Sequence, residues 1–344
     1  MKLKKLLALV LSVAMLALCL SGCGGETKED GGSADSSGGG DASEIKMGLL
    51  LPGSANDGGW SQMAADAFEA AANEYGCTAD YTESVAATDM ETIMRGYADK
   101  GYSIIVSHGA EFLDASKQVA KDYPDIQFIN TSSMNGMDPN LAGIDFGSAE
   151  LGYITGLIAG MATESNKIGL VCAMEGDTTV LCNECVEYAA KKINPDIEVT
   201  VVYTGSFDDQ LKAKQATAEL INNGCDVIAM NCDAAAIGAV QQCDEAGVVC
   251  VPYATPMDGQ GSTIICQVIQ DAQLGIQVAV EKAIEGTLGS GALAMGIAEN
   301  VVTLDDFQGP YSDVLTDDEV NQIIEIFDKV YNGEDVKEVI DSTF

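Results

Sequence analysis

From residue 45 onward, short apolar segments alternate with longer amphipathic ones. Residues 45–53, IKMGLLLPG, form an apolar run with a Pro-Gly end, and residues 62–75 carry apolar side chains at helical spacing. The alternation predicts further strands at 78–83, 103–107 and 127–130, with helices at 88–100 and 112–122. A second series predicts strands at 167–171, 198–203, 226–231 and 248–253, with helices at 183–193, 210–222 and 234–246.

This pattern indicates an α/β fold. Strands that alternate with helices over such a length are typical of parallel sheets covered by helices on both faces. Because the two series are alike, we predict two similar lobes, each with a parallel sheet flanked by helices. Ligands of such sheets bind beyond the carboxyl ends of the strands, so we expect a ligand between the two lobes.

The first 44 residues have a different pattern. Three lysines precede a continuous apolar run at 6–20, which is too short to be a comfortable membrane span. The run ends in Leu-Ser-Gly-Cys23, which resembles the lipobox of bacterial lipoproteins, where the signal is cut before a cysteine that carries a diacylglycerol. We predict a lipoprotein signal peptide at 1–22 and lipidation of Cys23. The alternative is an ordinary secretory signal followed by a chance cysteine.

The segment after Cys23 predicts a tether. Residues 24–44 have no large apolar side chain and are rich in Gly, Ser, Asp and Glu, so they cannot bury enough surface to fold. We predict a flexible acidic Gly/Ser tether at 23–44. The globular part would then be held by lipid on the extracytoplasmic face of the cell membrane.

Charge excludes several classes of partner. The chain has 344 residues, with 17 Lys and Arg against 53 Asp and Glu. Binding to DNA or RNA needs clustered cations, so we predict no nucleic-acid partner. A strongly anionic ligand is also disfavoured.

Metal and cofactor sites are not expected. There is one His, and most of the nine cysteines after Cys23 lie in apolar runs, where free thiols behave as small hydrophobic side chains. Cys182 and Cys185 have the spacing of a redox or zinc pair, but no second such pair and no companion His accompanies them. We predict no metal and no cofactor.

The loop after the first strand carries the clearest candidate chemistry. Asn56 and Asp57 supply hydrogen-bonding groups between glycines, and Trp60 stands where the next helix opens. Trp60 is the only Trp, and we predict that it offers a flat face to a ring-containing ligand. The alternative is that Trp60 anchors the core of its lobe.

Other candidates stand at later strand ends. His108 follows the third strand, either as a ligand contact or as a hydrogen-bonded loop or core residue. Phe207 follows a strand of the second series and is expected to face Trp60 across the cleft, while Asp208 and Asp209 have a plainer interpretation as helix caps. The remaining candidates at strand ends are Asn231, Tyr253 and Asp258.

Four stretches together resemble the basic membrane protein family. They are LLLPGSANDGGW, GYSIIVSHGAEF, NPDIEVTVVYTGSFDDQLKAKQ and GCDVIAMN, and the resemblance extends over nearly all of residues 46–344. The family consists of lipoproteins, including purine nucleoside receptors that feed ABC importers. The resemblance implies a periplasmic-binding-protein type I fold, in which three hinge crossovers join two lobes. It also implies a nucleobase stacked between aromatic rings and a ribose held by acidic and amide groups.

Carried over by motif, Asn56, Asp57 and Trp60 match the first-lobe ligand loop, and Phe207 matches the second-lobe aromatic. The chain departs from the family at two places. Pro256 stands where a turn containing Asp is common, so that the nearest acid is Asp258, and Gln270 replaces a frequent Lys or Trp. These departures leave the identity of the ligand open more than the fold.

The same resemblance leads to a division of the chain. We predict a first lobe of residues 45–147 plus about 262–290, and a second lobe of 148–261 plus about 291–344. The hinge segments are expected near 145–148, 257–263 and 289–292, and lobe closure on the ligand is the expected motion.

We therefore predict a lipid-anchored, monomeric substrate-binding protein that delivers a small, neutral, ring-containing solute to an ABC permease, with a nucleoside favoured. A sugar or other small-molecule receptor, or a sensor of the same fold, is the alternative. An enzyme is not expected, because the chain has no GxSxG, GxxxxGK[ST] or GxGxxG motif. A nucleoside-cleaving enzyme would need a tuned pair of acids, for which the sequence has no specific signal.

Overall fold

The computed structural model describes residues 45–57 and 59–344. The predicted signal peptide, the lipidation site Cys23 and the tether lie outside these residues. Within the described part of the chain, no helix is long and apolar enough to cross a membrane.

Strands and helices alternate along most of the described chain. The strands are β1 (Lys46–Leu50), β2 (Thr78–Thr82), β3 (Ile104–His108), β4 (Gln127–Thr131), β5 (Leu141–Asp145), β6 (Lys167–Cys172), β7 (Glu198–Tyr203), β8 (Val227–Asn231), β9 (Val249–Ala254), β10 (Val268–Gln270), β11 (Gly291–Ala294) and β12 (Val302–Leu304). The helices are α1 (Trp60–Tyr75), α2 (Met90–Asp99), α3 (Leu113–Ala120), α4 (Ser148–Ala162), α5 (Asp177–Ile193), α6 (Gln210–Asn222), α7 (Ala236–Ala246), α8 (Ala272–Ile284), α9 (Tyr311–Val314), α10 (Asp317–Tyr331) and α11 (Val336–Thr343).

These strands form two sheets with the same layout. The first sheet has the order β11-β5-β4-β3-β1-β2, and the second has the order β12-β10-β9-β8-β6-β7. All pairs of the first sheet are parallel. The second sheet is parallel except at its edge, where β12 runs antiparallel to β10. The prediction of an α/β fold with two similar lobes is confirmed.

The chain passes between the lobes three times. After β5 it enters α4, whose apolar side chains pack in the core of the second lobe. After β10 it enters α8, which packs with α1 in the core of the first lobe. After β11, in the first sheet, it returns to β12 in the second sheet. The first passage lies at the predicted position, 145–148.

The other two predicted hinge positions are wrong. The sequence predicts the segment 262–290 in the first lobe, but β10 within it pairs with β9 of the second sheet. It predicts the segment 291–344 in the second lobe, but β11 pairs with β5 of the first sheet. The passages therefore lie near Asp271 and between β11 and β12. An apolar run predicts a strand, but only the pairing with a neighbour decides which sheet contains it.

The second lobe is built around α4, which the sequence pattern did not predict. Most residues of α4 are buried on every side, so the helix has no polar face to give it a helical period. Its glycines let α5 approach closely. A Cβ atom at Gly156 would lie 2.4 Å from the carbonyl oxygen of Val186, and one at Gly152 would lie 2.2 Å from that of Cys182.

Candidate functional site

The loop after β1 is organised by the carboxylate of Asp57. This carboxylate accepts hydrogen bonds from the backbone N–H groups of Gly59 at 2.8 Å, Ser61 at 3.1 Å and Gln62 at 3.1 Å. These N–H groups lie at the start of α1, where no turn of helix precedes them to accept their bonds. The hydrogen bond from Gly59, followed by the one from Gln62, lowers the pKa of Asp57. Asp57 therefore fixes the position of the residue between them, Trp60.

Glu83 holds the other half of this loop. It follows β2 at the same edge of the sheet, and its carboxylate accepts from the backbone N–H of Ala55 at 2.8 Å and from the hydroxyl of Ser54 at 3.2 Å. Glu83 is not among the residues predicted from the sequence. Its position directly after a strand of the same sheet was the signal that could have found it.

Trp60 lies at the surface of the first lobe, and His108 covers one face of its ring. Its side chain is 41% exposed. The Trp60 and His108 ring centroids are 4.1 Å apart, and the ring planes are tilted by 34°. Trp60 is thus neither a buried core anchor nor a freely moving surface side chain.

His108 is held at both ring nitrogens. Nε2 lies 3.1 Å from the backbone oxygen of Trp60, and because that oxygen only accepts, Nε2 carries the proton and donates. Nδ1 lies 2.8 Å from Oγ1 of Thr131, which pairs with His108 in the sheet register. With the ring neutral, Nδ1 accepts the hydrogen bond from the Thr131 hydroxyl. Burial lowers the pKa of His108 to about 4, so the ring is neutral at neutral pH.

The surroundings of His108 favour the alternative of a hydrogen-bonded core residue, because its side chain is fully buried beneath Trp60. A direct contact of His108 with a ligand stays a prediction. Thr131 was not selected from the sequence. It is a polar residue that ends an apolar strand, which was the available signal.

Phe207 is the exposed aromatic of the second lobe. Its side chain is 52% exposed. Its backbone oxygen accepts from the N–H of Ala235 at 3.0 Å, which joins the loop after β7 to the loop after β8. The Trp60 and Phe207 rings are not stacked on each other in the described structure, and their pairing across a ligand stays a prediction.

The two acids after Phe207 differ in role. The carboxylate of Asp209 accepts from the N–H of Lys212 at 3.1 Å and caps α6, as the plainer interpretation proposed. Asp208 instead accepts from the hydroxyl of Ser206 at 2.6 Å. Both acids therefore shape this loop.

The ends of β8 and β9 also meet. Asn231 is half-buried at the end of β8, and its backbone oxygen accepts from the N–H of Ala173 at 3.1 Å. Two residues later, Asp233 accepts from the hydroxyl of Thr255 at 2.7 Å. These bonds connect the loops that follow β6, β8 and β9. We call the loops at the carboxyl ends of the strands of each lobe its rim.

The three remaining predicted residues differ in exposure and contacts. Tyr253 is only 1% exposed and its hydroxyl donates to Oδ1 of Asn183 at 3.0 Å, so its side chain packs in the core. Gln270 donates to the backbone oxygen of Phe146 at 2.8 Å and thus joins two of the passages between lobes. Asp258 is exposed and accepts from Nε2 of the buried Gln267 at 3.1 Å.

The loops at these strand ends carry acids and no cations. The segments 51–59, 83–89, 109–112, 173–176, 204–209, 232–235 and 255–267 contain no Lys or Arg. Their acids are Asp57, Glu83, Asp89, Glu111, Glu175, Asp208, Asp209, Asp233 and Asp258. Such a distribution creates a negative potential at both rims, which repels anionic solutes.

The described residues contain no group of three or more His, Cys, Asp or Glu arranged to hold a metal ion. A cavity of about 380 Å³ lies at the amino ends of β1, β3 and β4, opposite to the strand-end loops, near Ile45, Ser103 and Gln127. None of the predicted site residues lines it. The candidate site is therefore the pair of strand-end rims.

Comparison with known sequences identifies a family. A family model described as "Bmp: ABC transporter substrate-binding protein PnrA-like" matches residues 44–338. This range includes both lobes and every strand-end loop described above.

Two relatives have different named ligands. A putative ABC transporter glucose-binding protein, TsgA13, from Haloferax volcanii is 29% identical over 289 residues, which cover 83% of this chain and 73% of the relative. The ABC transporter nucleoside-binding protein BmpA from Lactococcus lactis subsp. cremoris is 28% identical over 226 residues, which cover 63% of this chain and 60% of the relative.

A solved structure supports the fold. A protein from Bacillus halodurans described as a transcriptional activator of the comK gene matches with a TM-score of 0.66 at 24% identity, covering 84% of this chain and 98% of that one. The topology and this similarity together confirm the expected type I fold.

Proposed function

Because the chain belongs to the Bmp family of PnrA-like ABC transporter substrate-binding proteins, we propose that it captures a neutral nucleoside between its two lobes and delivers it to an ABC permease. The family implies a solute and a permease as partners. The nucleoside, the residues that hold it and the lipid anchor are our proposal.

One observation carries the choice of a ring-containing ligand. Trp60 and Phe207 are exposed aromatic side chains in the segments that follow β1 and β7, one in each lobe, at 41% and 52%. An exposed aromatic face at each rim suits a planar ring, because stacking uses the ring face and needs no particular hydrogen bond.

Polar groups at the same strand ends would hold the sugar. Asn56 and Asp57 belong to the Trp60 loop, Asn231 ends β8, and Asp258 lies in the loop after β9. Their amide and carboxylate oxygens accept hydrogen bonds from hydroxyl groups. We propose these four residues, with Trp60 and Phe207, as the ligand contacts, and Gln270 as a hinge residue that bonds to the backbone of Phe146.

The acids of the rims support a ligand without negative charge. A nucleoside 5′-monophosphate would place its phosphate among carboxylates with no Lys or Arg in the strand-end loops to pair with it. A neutral nucleoside does not meet this repulsion.

Thermal-shift and calorimetric titration tests this proposal. Adenosine should raise the melting temperature and bind, and adenosine 5′-monophosphate should not. Binding of glucose in preference to adenosine would contradict the nucleoside assignment. Release of free adenine from adenosine would contradict the receptor function itself.

A sugar is the second candidate ligand. The glucose-binding name of the Haloferax volcanii relative favours it, and so do the acidic rims, because carboxylates accept from sugar hydroxyls. Glucose, ribose and adenosine titrated in parallel separate the two candidates. A sensor without a permease would bind the same solutes. A strain that lacks the protein separates the two functions, because loss of solute uptake indicates a transport receptor and unchanged uptake indicates a sensor.

We also propose that lipid on Cys23 anchors a monomer to the extracytoplasmic face of the membrane through the 23–44 tether. Replacing Cys23 with Ser should release the protein from the membrane fraction and leave adenosine binding unchanged, because anchor and fold are separate. Membrane fractionation gives the answer, and persistent attachment would refute lipidation at this residue.

A further inference from the structure

Trp60 and His108 are the only Trp and the only His of the chain, and they lie against each other. We propose that His108 is a positioning residue, which sets the orientation of the Trp60 ring and acts on the ligand only through that ring. The role of Trp60 in binding rests on the proposed function, whereas the ordering of its ring by His108 is independent of any ligand.

The imidazole of His108 is restrained by hydrogen bonds at both ring nitrogens. Nε2 donates to the backbone oxygen of Trp60 at 3.1 Å, and Nδ1 accepts from Thr131 at 2.8 Å. Oγ1 of Thr131 in turn accepts from the N–H of Gly109 at 3.3 Å. A flip of the ring would put carbon atoms in place of both nitrogens and leave buried polar groups unpaired, which is costly.

This restrained imidazole supports one face of the Trp60 indole. The centroids are 4.1 Å apart, which is within contact distance of two aromatic rings. His108 is fully buried and Trp60 is not, so one side of the indole rests on protein while part of its surface stays open. A ring held in this way loses less conformational entropy when a ligand stacks on it.

The charges around His108 leave it neutral. The hydrogen bond to the backbone oxygen of Trp60 and the charge of Asp57, just before α1, favour protonation of the imidazole, and Glu111 lies in the 3-10 turn that follows Gly109. Burial outweighs both effects and keeps the pKa of His108 near 4. A neutral imidazole has one donor and one acceptor, as the two hydrogen bonds require.

The fluorescence of Trp60 provides a direct test, since no other tryptophan contributes. The anisotropy decay and acrylamide quenching of the ligand-free protein are measured for His108→Ala, His108→Phe and Thr131→Val, with circular dichroism as the check on folding. Thr217→Val, at a buried threonine within α6 of the second lobe, is the matched control.

His108→Ala should add a fast component to the anisotropy decay and raise the acrylamide quenching of Trp60, because the imidazole that supports the indole is removed. His108→Phe should retain a slow decay, Thr131→Val should lie between, and Thr217→Val should match the wild type. A folded His108→Ala protein with unchanged Trp60 anisotropy would overturn the proposal. If His108→Ala does not fold, a Thr131→Val protein with wild-type anisotropy and quenching overturns it.

An acid titration supplies a readout that packing alone would not move. Imidazolium quenches indole emission at contact, so emission of the wild type should fall as the pH drops through about 4. His108→Phe, scanned over the same range, should lack this step. The same step in both proteins would refute the contact.

The ligand arm uses adenosine as the probe. His108→Ala should weaken binding roughly 2- to 12-fold, the range that matches the energy of one aromatic pair, and His108→Phe should recover most of the loss. Unchanged affinity in a His108→Ala protein whose Trp60 has become mobile would overturn the role in binding. If the wild type binds no adenosine, the proposed function fails, and the anisotropy data still decide whether His108 orders Trp60.

Discussion

The two rims present an aromatic side chain in different ways. In the first lobe, Trp60 stacks on a buried imidazole that is hydrogen-bonded at both nitrogens. In the second lobe, Phe207 is more exposed, and among the described residues its ring stacks on no other aromatic ring. Its loop is joined to the next loop by a backbone hydrogen bond from Ala235.

This difference indicates that the two rims have different roles in ligand binding. A preordered ring presents a defined surface to a ligand at small entropic cost, whereas an exposed ring on a loop adapts to what the first ring has bound. We therefore expect the first rim to select the ring and the second rim to close over it.

The largest expected difference between the lobes is in acid stability. His108, in the first lobe, has a folded-state pKa of about 4, against 6.5 for an unperturbed imidazole. The unfolded chain therefore binds the proton first, and stability is lost as the pH falls from about 6.5 to about 4. This displacement corresponds to about 3 kcal/mol.

Urea unfolding of the wild type and His108→Phe at several pH values measures this term. The wild type should lose more stability than the variant between neutral pH and pH 4.5. Parallel pH dependence of the two proteins would show that His108 is not buried in its neutral form.

The next effect concerns the packing of the second lobe. Gly156→Ala puts a methyl group 2.4 Å from the backbone oxygen of Val186 and should lower the free energy of unfolding by about 1–3 kcal/mol. The matched control is Gly96→Ala in α2 of the first lobe, where a Cβ meets nothing within 4 Å. That variant should be neutral or stabilising by up to about 1 kcal/mol. Equal destabilisation by both variants would contradict close packing of α4 on α5.

Replacing each aromatic residue with Ala measures what its ring contributes to binding and to stability. Trp60→Ala and Phe207→Ala should each weaken adenosine binding by about 5- to 150-fold, on the scale of base–aromatic stacking. Phe207→Ala should leave the free energy of unfolding within about 0.5 kcal/mol, because its ring is half exposed. Trp60→Ala should cost some stability as well, because its ring packs on His108.

Calorimetric titration together with the melting temperature of the ligand-free variants separates binding from folding. A Trp60→Ala protein that melts much earlier but binds adenosine normally once folded would show that Trp60 serves packing alone.

The smallest effect distinguishes the two helix caps. Asp57 accepts three backbone N–H groups at the start of α1, and Asp209 accepts one at the start of α6. Asp57→Ala should therefore lower the melting temperature more than Asp209→Ala does. Because the folded-state pKa of Asp57 is lowered, its contribution is complete above its ordinary pKa of 3.8 and is lost as the pH falls further. An equal effect of the two variants would contradict the cap geometry.

Much of the fold was predictable because its signals are local. Alternation of apolar and amphipathic segments predicted β1 to β4 and β6 to β9 within a few residues, and the position of Trp60 and Phe207 at strand ends followed from the order of those strands. The site was predictable only in part. The pattern around His108 was equally suited to a ligand contact and to a core residue, and Tyr253 at a strand end looked the same whether it faced out or in.

The fold class, the similarity of the two lobes and the positions of Trp60 and Phe207 at strand ends follow from the order of residues alone, because they depend on periodicity and on residue type. The sheets to which β10 and β11 belong depend on the three-dimensional fold, since strand pairing joins segments far apart in the chain. That fold also determines the burial of α4, which has no polar face to reveal it. Finally, it places His108 beneath Trp60, because a contact between residues 48 positions apart depends on how β3 and the start of α1 pack together.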